Sequence, residues 1–189
     1  MRIVGGASRG LKLADVGAGD PAAHLRPTTD RVRESIFNLL INGRIAQAGD
    51  PVTGARVLDL FAGTGALGLE ALSRGAARVA FVDDGTAARA LLRRNIELMR
   101  AMGTTDVWRR DATNMGPNRG PGYGLVFLDP PYGKGLGERA LASCVAGGWL
   151  APGALIVWEE SATPVIPDGF EELDQRRYGD TLITILRAP

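Results

Sequence analysis

The sequence predicts an α/β fold with a doubly wound parallel sheet, and three observations predict it. From Arg56 onward, short apolar runs alternate with stretches of helical spacing, the pattern of βαβ units. A glycine-rich turn, Gly63 to Gly68, joins the first apolar run to the first of those helices. The chain has 189 residues, 45% of them hydrophobic, sufficient for one domain with a sizeable core. Right-handed crossovers between parallel strands then wind the helices onto both faces of the sheet.

The elements follow in order. Ile3-Val4 and Leu11–Leu13 read as short strands of a hairpin around Gly5, Gly6 and Gly10. Residues 14–25 are dominated by Ala, Gly, Asp and Pro and read as a loop. Pro27-Thr28-Thr29-Asp30 supplies hydroxyl and carboxylate caps for a helix. Val32, Ile36, Leu39 and Leu40 recur in it at helical spacing until Gly43. Residues 1–50 are therefore expected to be an extension of hairpin and helix, and residues 51–189 the main domain. Strands are predicted there at 57–60, 79–83, 106–108, 125–129, 154–158 and 181–186, and helices at 67–73, 86–102 and 138–145.

Composition excludes several chemistries. Cys144 is the one cysteine, so no internal disulfide can form. Together with the single His24 it cannot build a structural zinc site, which takes about four Cys/His ligands, and no metal site is expected. Any reaction is expected to run on carboxylates, backbone groups and a bound cofactor. No apolar run approaches a membrane span, and the N-terminal string MRIVGGASRG lacks a signal-peptide core. A cytoplasmic protein without membrane contact is expected. The net charge is only +1, but residues 1–44 hold seven basic residues (Arg2, Arg9, Lys12, Arg26, Arg31, Arg33, Arg44) against four acidic ones. That end could meet nucleic-acid phosphates; a solvated helix face accounts for Arg31 and Arg33 equally well.

Two strings carry chemistry. In Asp59-Leu60-Phe61-Ala62-Gly63-Thr64-Gly65-Ala66-Leu67-Gly68, three glycines fit G-x-G-x-x-G between a strand and a helix. Glycine lets a ligand approach the backbone, and the helix N-terminus presents free N–H groups. Asp83 ends the next predicted strand, where a carboxylate can accept from both ribose hydroxyls of a nucleoside cofactor. Asp59 suits a cationic amino or sulfonium group better than a pyrophosphate, which favours S-adenosylmethionine over a dinucleotide. The second string is Asp129-Pro130-Pro131-Tyr132. A residue before proline is held extended, which fixes the Asp129 carboxylate and the Pro130 carbonyl as two acceptors for an exocyclic NH₂. Tyr132 offers a ring on which a planar base stacks. Cys144 and the three tryptophans read as core, and Glu159-Glu160 as a solvated strand end.

Asp59–Ala76 and Asp129–Tyr132 resemble the amino-methyltransferases that use S-adenosylmethionine. The strings Gly5–Gly10 and Arg26–Leu40 narrow the resemblance to the bacterial 16S ribosomal RNA (guanine-N2)-methyltransferase D family, over nearly the whole chain. The resemblance implies a Rossmann-like class I methyltransferase, with a mostly parallel seven-stranded sheet whose last strand is antiparallel. It implies that Asp59, Phe61, Ala62, Gly63 and Gly65 cradle the methionine end of S-adenosylmethionine, that Asp83 meets the ribose, with Asp84 also among the cofactor-binding residues, and that Asp111 and Ala112 contact adenine. Asp129, Pro130 and Tyr132 would be catalytic. Arg9, Arg26, Thr28, Arg31, Arg33, Pro131 and Lys134 would meet the substrate, 16S ribosomal RNA, within an assembling small subunit, with the protein a monomer. Where relatives often carry a second acid two residues after the first, this chain has Gly85, and Asp84 follows Asp83 directly. Rival readings are methylation of adenine in nucleic acid or of a protein amide, an NAD-dependent oxidoreductase, and a non-enzymatic RNA-binding protein.

Overall fold

The computed structural model describes residues 1–14 and 28–189. His24 and Arg26 lie outside the described residues. Strands β1 (Arg56–Leu60), β2 (Arg78–Val82), β3 (Thr105–Trp108), β4 (Tyr123–Leu128), β5 (Leu150–Glu160), β6 (Glu171–Tyr178) and β7 (Thr181–Arg187) form one sheet in the order β3-β2-β1-β4-β5-β7-β6. The pairs β1–β2, β1–β4, β2–β3 and β4–β5 are parallel, and β7 runs antiparallel between β5 and β6. The helices are α1 (Asp30–Asn42), α2 (Ala66–Ser73), α3 (Thr86–Leu98) and α4 (Leu136–Gly147).

Alternation along the central strands divides the core between the two faces of the sheet. Val57, Val79, Phe81, Leu125, Phe127 and Val157 share one cluster with Leu69 of α2, Leu92 of α3, and Ile36, Phe37 and Leu40 of α1. Leu58, Leu60, Ala80, Val82, Val126, Leu128 and Ile156 face the other way, onto Ala140, Leu141 and Cys144 of α4. Cys144 is fully buried, and burial pushes its thiol up to about 12, so it packs as a small hydrophobe. The chain order leaves β1 toward β2 and β3 and then returns to β4 on the opposite side. The C-terminal ends of β1 and β4 therefore flank the crevice where ligands bind in open α/β sheets.

The N-terminal extension is part of the same core. Ile3 and Leu13 are buried in the first cluster, and Arg2 bridges Lys12 antiparallel. Thr29 caps α1 by accepting from the Val32 N–H, an interaction of about 1 kcal/mol. Glu70 of α2 is fully buried and accepts from the Val4 and Gly5 N–H groups at 2.9 and 2.8 Å while pairing with Arg74 at 2.8 Å. Truncating it would strand three donors, a loss of about 3–5 kcal/mol. Gly6 sits at φ +73 with no room for a Cβ, which would lie 1.8 Å from the Ser73 carbonyl oxygen. Gly5 and Gly6 therefore seat the hairpin on the end of α2 rather than face a ligand.

Two elements differ from expectation. Residue spacing gives no sign of β6, whose eight residues EELDQRRY carry no apolar alternation. As the sheet's edge it buries little, so hydrophobicity has nothing to report. The predicted helix 86–102 ends at Leu98, because Arg100 adopts φ +54. The Ala101 N–H then reaches the Ile96 carbonyl and the Arg100 N–H reaches Glu97, a Schellman ending.

Candidate active site

The glycine turn closes over β1. Gly65 takes φ +79 as N-cap of α2, a left-handed conformation that favours glycine. At Gly68 a Cβ would lie 2.4 Å from the Phe81 ring and 2.9 Å from Asp59 Oδ2. That close approach lets the Gly68 N–H donate to Asp59 at 2.9 Å. Asp59 is 2% exposed, and burial, reinforced by the charge of Asp83, pushes its carboxyl up to about 8 against the Gly68 hydrogen bond. It lies beneath the loop, not in the open crevice.

Asp83 follows β2 and accepts from the Gly63 N–H at 2.9 Å and the Gly85 N–H at 2.7 Å. Burial raises its carboxyl above the ordinary range, while those two donors hold it down. Asp83 thus joins the first turn to the second, across 20 positions. It lines one cleft with Phe61, Val82, Asp84, Arg110, Asp111 and Ala112. Phe61 stands at φ +57, a strained conformation for a bulky residue, of the kind that clusters at ligand sites. Asp111 accepts from the Thr113 N–H and hydroxyl, both at 2.8 Å, which fixes its turn after β3. Of the nine residues expected around a cofactor, Phe61, Asp83, Asp84, Asp111 and Ala112 share this cleft. Ala62, Gly63 and Gly65 form the turn above Asp59.

The second cluster stands at the ends of β4 and β5. Leu128 pairs with Trp158, so Asp129, just past the end of β4, comes beside Glu159, which β5 still pairs with Ile183 of β7. Glu159 is 5% exposed; its Oε1 accepts from the Tyr132 hydroxyl at 2.7 Å and its Oε2 from the Thr28 hydroxyl at 3.1 Å. The same Thr28 hydroxyl lies 3.4 Å from Asp129 Oδ2. Glu160 accepts from the Gly133 N–H at 3.1 Å and from Ser161. Burial, then the charges of Glu159, Asp59 and Glu160, push Asp129 well above the ordinary carboxylate range, with Thr28 pulling it back. Burial and the charges of Glu159 and Asp129 raise the Tyr132 phenol as well.

Two expectations need correction here. Glu159 and Glu160 are buried ligands of Tyr132 and Gly133, not a solvated strand end. Arg33, expected to meet RNA, is 1% exposed and donates to the Thr28 carbonyl at 2.8 Å, to the Arg2 carbonyl and to Asp30 at 2.8 Å. It braces the entry to α1 and has no face left for a phosphate. Thr28, expected at the substrate, stands in this acceptor cluster, 8% exposed and between its two carboxylates. Arg9, Arg31 and Lys134 are exposed, and Pro131 is half-buried. Asn95 of α3 is a further residue that sequence reading missed. Fully buried, it donates to the Ala14 and Thr64 carbonyls at 3.0 Å each and accepts from the Ala14 N–H at 2.7 Å. It ties the extension to the glycine turn, and its one sequence signal is a polar residue on the apolar stripe of a helix.

Residues 1–187 match the family model described as "Conserved hypothetical protein 95". The ribosomal RNA small subunit methyltransferase D of Escherichia coli is 39% identical over 170 residues, covering 88% of this chain and 79% of its own. The chain belongs to this methyltransferase family. Its counterpart in Haemophilus influenzae is 33% identical over 184 residues, 95% of this chain and 89% of that one. The solved structure of yhhF from Escherichia coli superposes with a TM-score of 0.82 at 36% identity, covering 100% of this chain and 97% of that chain. Family and sheet order together make this a class I methyltransferase fold, as the resemblance implied.

Proposed function

We propose that this methyltransferase moves a methyl group from S-adenosylmethionine to the exocyclic N2 amine of a guanine in 16S ribosomal RNA. The observation that carries the reading is the placement of Asp129 and Tyr132 at the crevice beside the glycine turn. The relatives named for small-subunit ribosomal RNA support the substrate. Monomeric action in the cytoplasm on an assembling small subunit belongs to the same reading.

The charge pattern fits a cationic cofactor. Asp59 and Asp83 are both raised by burial, and the charge bearing on Asp59 is that of another acid, Asp83. A cation between them would restore their ionisation. Asp83 would hold the ribose with Asp84 beside it, Asp111 and Ala112 the adenine, and Phe61 with the turn at Ala62, Gly63 and Gly65 the methionine end over Asp59. When bound, S-adenosylmethionine supplies an electrophilic methyl with its own leaving group, so the protein's work is orientation.

An exocyclic amine on a purine is a weak nucleophile because its lone pair is delocalised into the ring. The Asp129 carboxylate and the Pro130 carbonyl accept from its two N–H groups, favour a pyramidal nitrogen and aim the lone pair. Tyr132 holds the base plane. Such alignment is worth up to roughly 7–11 kcal/mol of barrier. The proton that the nitrogen must lose passes to Asp129 or to water. A base inside a duplex cannot reach this crevice, so the target is single-stranded, looped or flipped out. Arg9, Arg31 and Lys134, exposed in the structure, would meet phosphates, with Arg26 from the segment outside the described residues.

The test is methyl transfer from tritiated S-adenosylmethionine to small ribosomal subunits from a strain lacking this protein, followed by nucleoside identification. N2-methylguanosine is expected; N6-methyladenosine, or label in protein alone, would overturn the assignment.

A further inference from the structure

We propose that Glu159 is a positioning residue of the transfer site: it anchors the Tyr132 hydroxyl and, through the Thr28 hydroxyl, orients the Asp129 carboxylate. The inference rests on reading Asp129 and Tyr132 as the acceptor site. Its starting point is the strand register, in which Leu128 lies opposite Trp158, so that Asp129, the first residue past β4, comes beside Glu159 of β5. Both carboxylates then compete for one hydroxyl. Thr28 carries a single O–H proton and can donate to one of them at a time. Its oxygen is 3.1 Å from Glu159 Oε2 and 3.4 Å from Asp129 Oδ2, so Glu159 is the better placed acceptor. When the proton points to Glu159, Asp129 Oδ2 is open to an amine of the substrate; when it points to Asp129, it holds that carboxylate in place and favours its ionised form.

Glu159 also fixes what stands next to Asp129. Its other oxygen takes the Tyr132 hydroxyl at 2.7 Å, which sets the ring's tilt. The adjacent Glu160 takes the Gly133 N–H at 3.1 Å. Consecutive acids at the end of β5 thus hold consecutive residues after the two prolines. Thr28 immediately precedes the N-cap of α1, so the same hydrogen bonds tie the acceptor site to the N-terminal extension.

Electrostatics give the inference a separate signature. The ionisable groups bearing on Asp129 are Glu159 and Glu160 from β5 and Asp59 from β1. The charge of Glu159 favours a proton on Asp129, whereas the Thr28 hydrogen bond favours the ionised form. Glu159→Gln and Thr28→Val should therefore move the titration of Asp129 in opposite directions. A residue that merely fills space would not do so.

The experiment uses the whole chain, with ¹³C-carboxyl aspartate read by NMR and Asp129→Asn supplying the assignment. Glu159→Gln should shift the Asp129 midpoint to lower pH, and Thr28→Val should shift it to higher pH. In methyl transfer to small subunits, Glu159→Gln should lower kcat by about 100-fold, the loss that follows from misplacing a reacting group by about 1 Å. Cofactor affinity by calorimetry should stay within about twofold. Unmoved midpoints, shifts in the same direction, or a wild-type kcat in Glu159→Gln would overturn the inference. Should Glu159→Gln fail to fold, the direction of the Thr28→Val shift decides. The titration needs no RNA, so opposite shifts in a protein that methylates no guanine would uphold the role of Glu159 and reject the guanine reading instead.

Discussion

The two halves of the sheet, on either side of the switch between β1 and β4, are built on different principles. On the β1–β2–β3 side the site is local. Asp59 reaches Gly68 across nine positions, and Asp83 reaches Gly63 across twenty, each by a carboxylate accepting a backbone N–H. On the β4–β5 side the site is assembled from distant segments. Thr28 meets Asp129 across 101 positions and Glu159 across 131, side chain to side chain. The first half holds a shape that recurs wherever a strand turns into a helix over a ligand. The second holds an arrangement that exists only once the whole chain has folded. The proposed division of labour follows from this: backbone geometry binds the cofactor, and converging side chains select and orient the acceptor.

The largest expected effect breaks the second half. Asp129→Ala should lower kcat by about 1,000-fold, within the range for losing a positioned acid–base group. Methyl transfer to small subunits under saturating cofactor measures it. A residual rate near wild type would mean that the acceptor site lies elsewhere.

The next effect breaks the first half. Asp83→Ala removes a carboxylate placed to accept from the cofactor's ribose. Hydrogen bonds to charged groups are worth about 1.5–3 kcal/mol, so S-adenosylmethionine should bind roughly 10- to 100-fold more weakly. The rate at saturating cofactor should change far less. Calorimetry and kcat, read together, check this.

A third prediction uses the buried charge shared by both halves. The Asp59 carboxyl is raised from the ordinary 3.8 to about 8 in the folded chain. A raised acid binds its proton more tightly when folded. Its contribution is therefore fully present below the ordinary carboxylate range and is lost as pH rises through about 8. Asp83 and Asp129 are raised in the same direction. The cofactor-free Tm should fall as pH is raised through that window, and Asp59→Asn should shrink the fall. An equal fall in the Asn variant would remove Asp59 as a cause.

The smallest effect concerns the exposed basic face of the extension. Charge reversal at Arg9 and Lys12, both exposed, should flatten the salt dependence of RNA binding by about 0.7 for each phosphate that is no longer neutralised. An unchanged slope would place the RNA elsewhere.

The same contrast explains what could be read from the chain alone. The glycine turn, the acid at Asp83 and the Asp-Pro-Pro-Tyr string were legible because each is a short stretch whose spacing has local physical meaning. The role of Glu159 was not, because acids at a strand end are ordinarily solvated, and only the pairing of Leu128 with Trp158 brings this one beside Asp129. Arg33 misled for the complementary reason. A basic residue in a helix within a basic region reads as a phosphate ligand, yet the fold turns it inward onto the carbonyls of Thr28 and Arg2. β6 carried no readable pattern because an edge strand with little buried surface needs none.

The division between the halves is tested most directly by calorimetric titration of S-adenosylmethionine into the Asp129→Ala protein. The affinity should stay within about twofold of wild type even though turnover is lost. A loss of affinity as large as that of Asp83→Ala would contradict the division, because it would make Asp129 part of the cofactor site.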